Sequence, residues 1–168
     1  MTPNIKIYRV LLVCLGNICR SPAAEAIFKA YAEKAGLRVD VDSAGTSGWH
    51  EGEMADQRMR STASERGYNI TSISRPFDRN KDFDRFDLIV PMDGQNYADL
   101  RDLAQTREEV DKIQNISQFI QSTGDTYIPD PYYGGKTGFH RVIDLLEEAS
   151  AQLVSYVETK LKLDGGKT

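Results

Sequence analysis

The sequence predicts an α/β fold built on a parallel sheet, and three observations carry that prediction. Strand-like apolar runs alternate along the chain with segments whose apolar residues repeat at helical spacing. The run 8–15 is almost continuously apolar, as a strand covered on both faces must be. A long amphipathic stretch, 139–163, is patterned to close the fold as a helix, with Val142, Leu145, Leu146, Ala149, Leu153, Tyr156 and Val157 on one face. The 168 residues are most simply one domain over 1–163, long enough to bury a core, with a disordered tail over 164–168.

Taken in order, 8–15 is the first strand and a central one. The helix after it has Ser21 as its cap and Pro22 in its first turn, carries Ala24, Ile27, Phe28, Tyr31 and Ala35 on one face, and ends at Gly36. A short second strand spans 39–43 and leads into a loop over 44–53. The stretch 54–66 reads as helix and stops at Gly67. A third strand covers 86–92, and Pro91, which has no N–H to give, weakens pairing near its end. A helix over 93–103 and a fourth strand over 112–116 follow. Repeated Gly and Pro make 122–138 a loop. There is no internal repeat and no low-complexity linker.

Composition narrows the partners. The chain has 25 acidic and 21 basic residues, a net charge of −4, and no Lys/Arg cluster interleaved with aromatics, which excludes nucleic acid. No run is long enough to span a membrane, and the apolar run near the N-terminus is too short for a signal peptide; the chain reads as cytoplasmic. The two cysteines, Cys14 and Cys19, lie in one short segment, so no disulfide framework spans the fold. In a reducing compartment such a pair is catalytic or redox-active rather than structural.

That segment, Cys14-Leu15-Gly16-Asn17-Ile18-Cys19-Arg20-Ser21, joins the first strand to the first helix. A strand, a short Gly-containing loop and a helix start place unpaired backbone N–H groups around one point, which suits an anion. Here the loop opens with a thiol and closes with a guanidinium. A thiolate is a nucleophile toward phosphorus, and a planar guanidinium clamps two phosphate oxygens. A Cys-x5-Arg spacing alone is weak and fits a buried cysteine beside a surface arginine; its place between strand and helix shifts the balance to function. Ser21 can donate to the sulfur as well as cap the helix. Asn17 can bridge the loop to its surroundings in a left-handed conformation. Asp130, bracketed by Pro129 and Pro131 and followed by Tyr132 and Tyr133, is the candidate proton donor; an Asp-Pro turn is its plain alternative. His50 and His140 have no carboxylate or cysteine neighbours at a telling spacing and read as surface or helix-start residues. Trp49, the only tryptophan, with Tyr132 and Tyr133, can wall an aromatic substrate.

Together these residues resemble the low-molecular-weight protein tyrosine phosphatases. The resemblance rests on Val13 to Pro22, Ala24-Glu25, Asp42-Ser43-Ala44-Gly45-Thr46, Gly48-Trp49-His50, Met92-Asp93 and Asp130-Pro131-Tyr132-Tyr133, in order along nearly the whole chain. It implies a flavodoxin-like fold with a central four-stranded parallel sheet. It implies Cys14 as nucleophile, Arg20 as phosphate clamp and Asp130 as general acid and base, with a phosphocysteine intermediate and neither metal nor cofactor. The substrate it implies is a tyrosine-phosphorylated protein, the product inorganic phosphate, and the state a monomer. Leu15, Gly16, Asn17, Ile18, Cys19 and Ser21 correspond to the phosphate loop, Ser43 to its bracing, and Trp49, Tyr132 and Tyr133 to the substrate walls. Some members have a bracing histidine in the segment corresponding to 70–74; here Ser72 is the available residue.

Rival chemistries are separated by single residues. Related arsenate reductases relay a disulfide through cysteines outside the loop, and this chain has none. Related protein arginine phosphatases typically have Thr at the place of Ile18, whose bulk favours a flat phenyl ring. A non-hydrolytic phosphotyrosine-binding module would not need Cys14, Arg20 and Asp130 together. A thioredoxin-like motif would have two residues between its cysteines, where this chain has four. Cys19 is nevertheless placed to trap an oxidised Cys14 as a disulfide, which would make the protein redox-sensitive; the alternative is a packed side chain.

Overall fold

The computed structural model describes residues 6–121, 127–131 and 135–165. Its centre is a parallel sheet of three strands in the order β2-β1-β3, with β1 at Tyr8–Cys14, β2 at Val39–Gly45 and β3 at Leu88–Pro91. Successive β1 side chains enter opposite cores, as strand geometry requires. Val10 and Leu12 pack with helices α1 (Arg20–Lys34), α2 (Gln57–Glu65) and α6 (Lys136–Gly165). Leu11 and Val13 pack on the other face with Phe83, Phe86, Ile89 and Leu100. That face carries the short helix α3 (Asp82–Arg85) and α4 (Gly94–Leu103). A further short helix, α5, spans Arg107–Asp111. Among the described residues no helix is long and apolar enough to cross a membrane.

The α/β class and parallel sheet stand as the sequence predicts; among the described residues the sheet has three strands. Segment 112–116 contributes one parallel bridge, Ile113 to Ile89, and turns into a 3-10 helix at Ile116–Phe119. The cause is Pro91. Ile89 donates to Lys112 O at 2.9 Å and accepts from Gln114 N at 2.9 Å. The next donor on that edge of β3 is the nitrogen of Pro91, which has no hydrogen.

Other boundaries move for local reasons. Helix α1 begins at Arg20, so Ser21 lies inside its first turn and is not the cap; the residue at the cap position is Cys19, with no side-chain bond. Helix α2 starts at Gln57 because Asp56 accepts from the Arg58 and Met59 amides, while Met54 is held outside by an antiparallel bridge to Ile73. Helix α6 begins three residues before the expected 139 and extends to Gly165, so the first two residues of the expected tail are helical. Helices α3 and α5, of four and five residues, are too short to leave a periodic signature.

Gly36 ends α1 as expected. Its φ of 71° lets Gly36 N reach Glu33 O at 3.0 Å and Leu37 N reach Ala32 O at 3.0 Å. A Cβ there would meet nothing within 4 Å, so only backbone strain opposes a side chain. Gly36→Ala should therefore cost about 1 kcal/mol, the scale of a left-handed alanine, read as a lowered urea midpoint with an unchanged m-value.

Candidate active site

The segment joining β1 to α1 lies at the C-terminal ends of the strands, where α/β sheets leave a crevice. Its conformation is set by bonds to its carbonyls, all made from outside the loop. Thr46 N donates to Cys14 O at 2.9 Å, Ser47 N to Leu15 O at 2.9 Å, Ser74 Oγ to Gly16 O at 2.9 Å and Asp56 N to Ile18 O at 2.7 Å. Cys19 O accepts from Ala23 N at 3.2 Å. With the carbonyls turned outward, the amides of Leu15, Gly16, Ile18 and Cys19 have no acceptor among the described residues, while Asn17 N points to Cys14 Sγ at 3.3 Å. Such a ring of amides is an anion cradle.

Gly45 makes the outward anchoring possible. A Cβ on it would fall 2.8 Å from Leu15 O and 2.9 Å from Ser47 O, both backbone atoms that cannot swing away.

Asn17 ties the loop together from beneath. It is the one non-glycine residue with positive φ among those described, at 57°. Its Nδ2 donates to Ser21 Oγ at 2.8 Å and Ser43 Oγ at 3.0 Å, and its Oδ1 accepts from Arg75 N at 3.0 Å. Because Asn17 fills an acceptor site on each hydroxyl, the serine protons are directed onward. Ser43 donates to Glu25 Oε1 at 2.7 Å, and Ser21 faces Cys14 Sγ at 3.1 Å, closer than Ala44 O at 3.5 Å. Burial pushes the Glu25 carboxyl above its ordinary range, partly offset by the Ser43 hydrogen bond.

Arg20 is 4% exposed. Its Nη1 donates to Asp93 Oδ2 at 2.6 Å and to Ile128 O at 3.1 Å; Nε and Nη2 make no hydrogen bond to the described residues. Burial pulls the guanidinium down, but Cys14, Asp93 and Asp130 outweigh it and leave its pKa raised. Asp93 serves twice, since its Oδ1 caps α4 through Asn96 N at 2.7 Å. Ile128 also donates to Met92 O at 2.8 Å, which fastens the segment carrying Asp130 to the end of β3. Cys14, Leu15, Gly16, Ile18, Cys19, Arg20, Trp49, His50 and Asp130 thus line one cavity of about 240 Å³.

Most sequence candidates meet here. Trp49 stands 78% exposed on the rim. Tyr132 and Tyr133 lie outside the described residues. The bracing expected of Ser72 comes instead from Ser74 and the backbone of Arg75; Ser72 makes no hydrogen bond to the loop among the described residues. The Arg75 guanidinium is itself fixed between Asp42 and Asp82. Its role had no local signal, because Asn17 and Asp42 are remote in sequence. His50, read as a surface or helix-start residue, lines the cavity beside Trp49, the neighbour whose expected wall role was the signal for it. Both cysteines are free and buried, and burial with nearby Asp56 and Cys14 pushes the Cys19 thiol far up.

Residues 9–163 match the family model described as low molecular weight phosphotyrosine protein phosphatase. The chain belongs to that family. A Streptomyces coelicolor low molecular weight protein-tyrosine-phosphatase is 43% identical over 159 residues, covering 92% of this chain and 96% of the relative. The crystal structure of an Entamoeba histolytica protein tyrosine phosphatase superposes with a TM-score of 0.85 at 46% identity, covering 96% of this chain and 99% of the other. A Drosophila arginine phosphatase superposes at 0.82 with 33% identity, covering 88% and 96%. A protein tyrosine phosphatase and an arginine phosphatase thus share this scaffold.

Asn17→Ala should cost about 2 kcal/mol or more, because it strands Ser21, Ser43 and the Arg75 amide and adds left-handed strain. Urea unfolding checks this, and Asn17→Gly should recover only the strain component.

Proposed function

We propose that the protein hydrolyses phosphotyrosine on proteins through a phosphocysteine at Cys14. The observation that carries this is one cavity holding a thiol, a guanidinium fork and a carboxyl above a ring of unpaired amides. The phosphoryl group binds the loop amides and Arg20. Cys14 sulfur attacks phosphorus in line as the P–O bond to the phenol breaks, and Asp130 gives its proton to the departing oxygen. Asp130 then takes a proton from water, whose oxygen displaces sulfur and releases inorganic phosphate. Charge on the equatorial oxygens is met by groups already in place, so little reorganisation is needed.

Ser21, whose hydroxyl lies 3.1 Å from the sulfur and accepts from Asn17 Nδ2, supports the leaving sulfur in the second step by donating to it. Cys19 is read equally as a redox partner or as a packed side chain; burial, with Asp56 and Cys14 nearby, raises its thiol, which supports the packed reading. In the same reading the fold is flavodoxin-like, with the Ile113 bridge as the remnant of a fourth strand, and the enzyme works as a cytoplasmic monomer. Ile18 supports an aryl substrate: it lines the cavity, and its side chain offers bulk without a hydrogen bond.

Asp130→Ala should slow phosphotyrosine turnover about 10²–10⁴-fold and slow an aryl phosphate with a very acidic leaving group far less. Equal losses on both substrates would remove the acid role. The arginine phosphatase scaffold gives a second comparison: Ile18→Thr should raise the ratio of phosphoarginine to phosphotyrosine hydrolysis, measured side by side on peptides.

A further inference from the structure

Asp130 is held from two sides. On one, Ile128 donates to Met92 O at 2.8 Å and accepts from Arg20 Nη1 at 3.1 Å. On the other, Pro131 is buried and faces the first turn of α6: a Cβ on Gly138 would lie 3.8 Å from Pro131 Cβ, so a methyl group would just fill the space between them. The place of Asp130 thus depends on where α6 starts.

Helix ends fray, because their outermost backbone groups lack intrahelical partners. Side chains hold this end in place. Phe139 is 1% exposed and packs in the core, with the Arg58 guanidinium 4.9 Å from its ring centre. Lys136 Nζ donates to Glu65 Oε1 at 3.1 Å, but both side chains are largely exposed, and such a pair contributes little. Arg66, at the C-cap of α2, makes a firmer hold. Its Nη1 donates to His140 O at 3.2 Å, and its Nη2 bonds Glu147 and, at 2.7 Å, Asp144. Positions 140, 144 and 147 share one face of α6 at helical spacing, so a single planar fork spans two turns. The Arg66 side chain is only 24% exposed, and its bonds to the carboxylates are charge-assisted. Tyr68 donates from its hydroxyl to the other oxygen of Glu147, but makes no hydrogen bond to 136–140 among the described residues.

We propose that Arg66 is a positioning residue for the general acid: by fixing the first turns of α6 it holds Gly138 against Pro131, and Pro131 in turn holds Asp130 at the cavity. This rests on the phosphatase reading, with Asp130 as acid, and deepens it. Arg66 does not line the cavity, so its effect reaches the chemistry through Asp130. Losing the bond to His140 O lets the start of α6 shift, and a catalytic group misplaced by about 1 Å loses much of its effect. Cys14 and the loop amides are anchored by Thr46, Ser47, Asp56 and Ser74, and keep their geometry.

The test compares kcat/KM on phosphotyrosine and on an aryl phosphate with a very acidic leaving group. This constant reads the steps through sulfur attack, and only the first substrate needs a proton for its leaving oxygen. Arg66→Met, which keeps length without the bonds, should lower kcat/KM on phosphotyrosine about tenfold and leave the second substrate nearly unchanged. Gly138→Leu, a good helix former that pushes on Pro131, should show the same selective loss, and Arg66→Lys should fall between Arg66→Met and the parent. Tyr68→Phe loosens the same helix pair and should lower the urea midpoint without moving the ratio of the two substrates. In an Asp130→Ala background Arg66→Met should have no further effect. Equal losses on both substrates, no loss, an undiminished loss in the Asp130→Ala background, or a Tyr68→Phe ratio as low as that of Arg66→Met would overturn the proposal. Asp130→Ala alone separates the two readings. If it shows the selective loss and Arg66→Met does not, the positioning role fails and the acid role stands; if it shows none, both fall.

Discussion

Outward anchoring of one short loop is the constraint on which the site depends. Five carbonyls between Cys14 and Cys19 are held by donors from outside the loop or from α1, and the amides are thereby left facing inward. Satisfied carbonyls and unsatisfied amides are two sides of one conformation. Unpaired amides in a cavity are costly unless water or a ligand meets them. A fold that maintains them does so because many small contacts over-determine the loop: β2 supplies Gly45 and Ser43, the following loop supplies Thr46 and Ser47, and 74–75 supply Ser74 and the Arg75 amide.

Asn17 concentrates this over-determination in one side chain. An amide group has two protons on nitrogen and lone pairs on oxygen, so it can donate twice and accept once from three different directions. Each of those bonds is present, and the left-handed backbone places the side chain under the loop rather than in the cavity. Asn17 thus fixes both serine hydroxyls as acceptors; the Ser43 proton points to Glu25, and the Ser21 hydroxyl lies within reach of both the Cys14 sulfur and Ala44 O. Arg20 plays the matching part across the cavity. One of its nitrogens joins the end of β3, through Asp93, to the Ile128 segment, so the Arg20 guanidinium and the segment bearing Asp130 are set by a shared contact.

Much of this was legible in the sequence because it is local. The strand-loop-helix order, Gly36 as a helix stop and the weakening effect of Pro91 all follow from single residues and their neighbours. The same locality explains the errors. Ser21 has the chemistry of a helix cap, but the helix begins one residue earlier and its hydroxyl is drawn to the sulfur. Pro91 was read as weakening β3, yet β3 pairs with β1 through Pro91, and the missing proton lies on the edge that faces Ile113. Ser74 and Arg75 reach the loop from a part of the chain far from it in sequence, so composition and spacing carry no trace of them. Long-range bonds of this kind become visible only once the sheet has fixed which loops share an edge.

Titration of the protein with inorganic phosphate, followed by backbone amide chemical shifts, tests the anchoring account most directly. The account predicts large, saturable shifts at Leu15, Gly16, Ile18 and Cys19, competitive with an aryl phosphate. It also predicts small shifts at Thr46, Ser47 and Asp56, whose amides stay bonded to loop carbonyls. Unmoved loop amides, or large shifts confined to the anchoring residues, would contradict it.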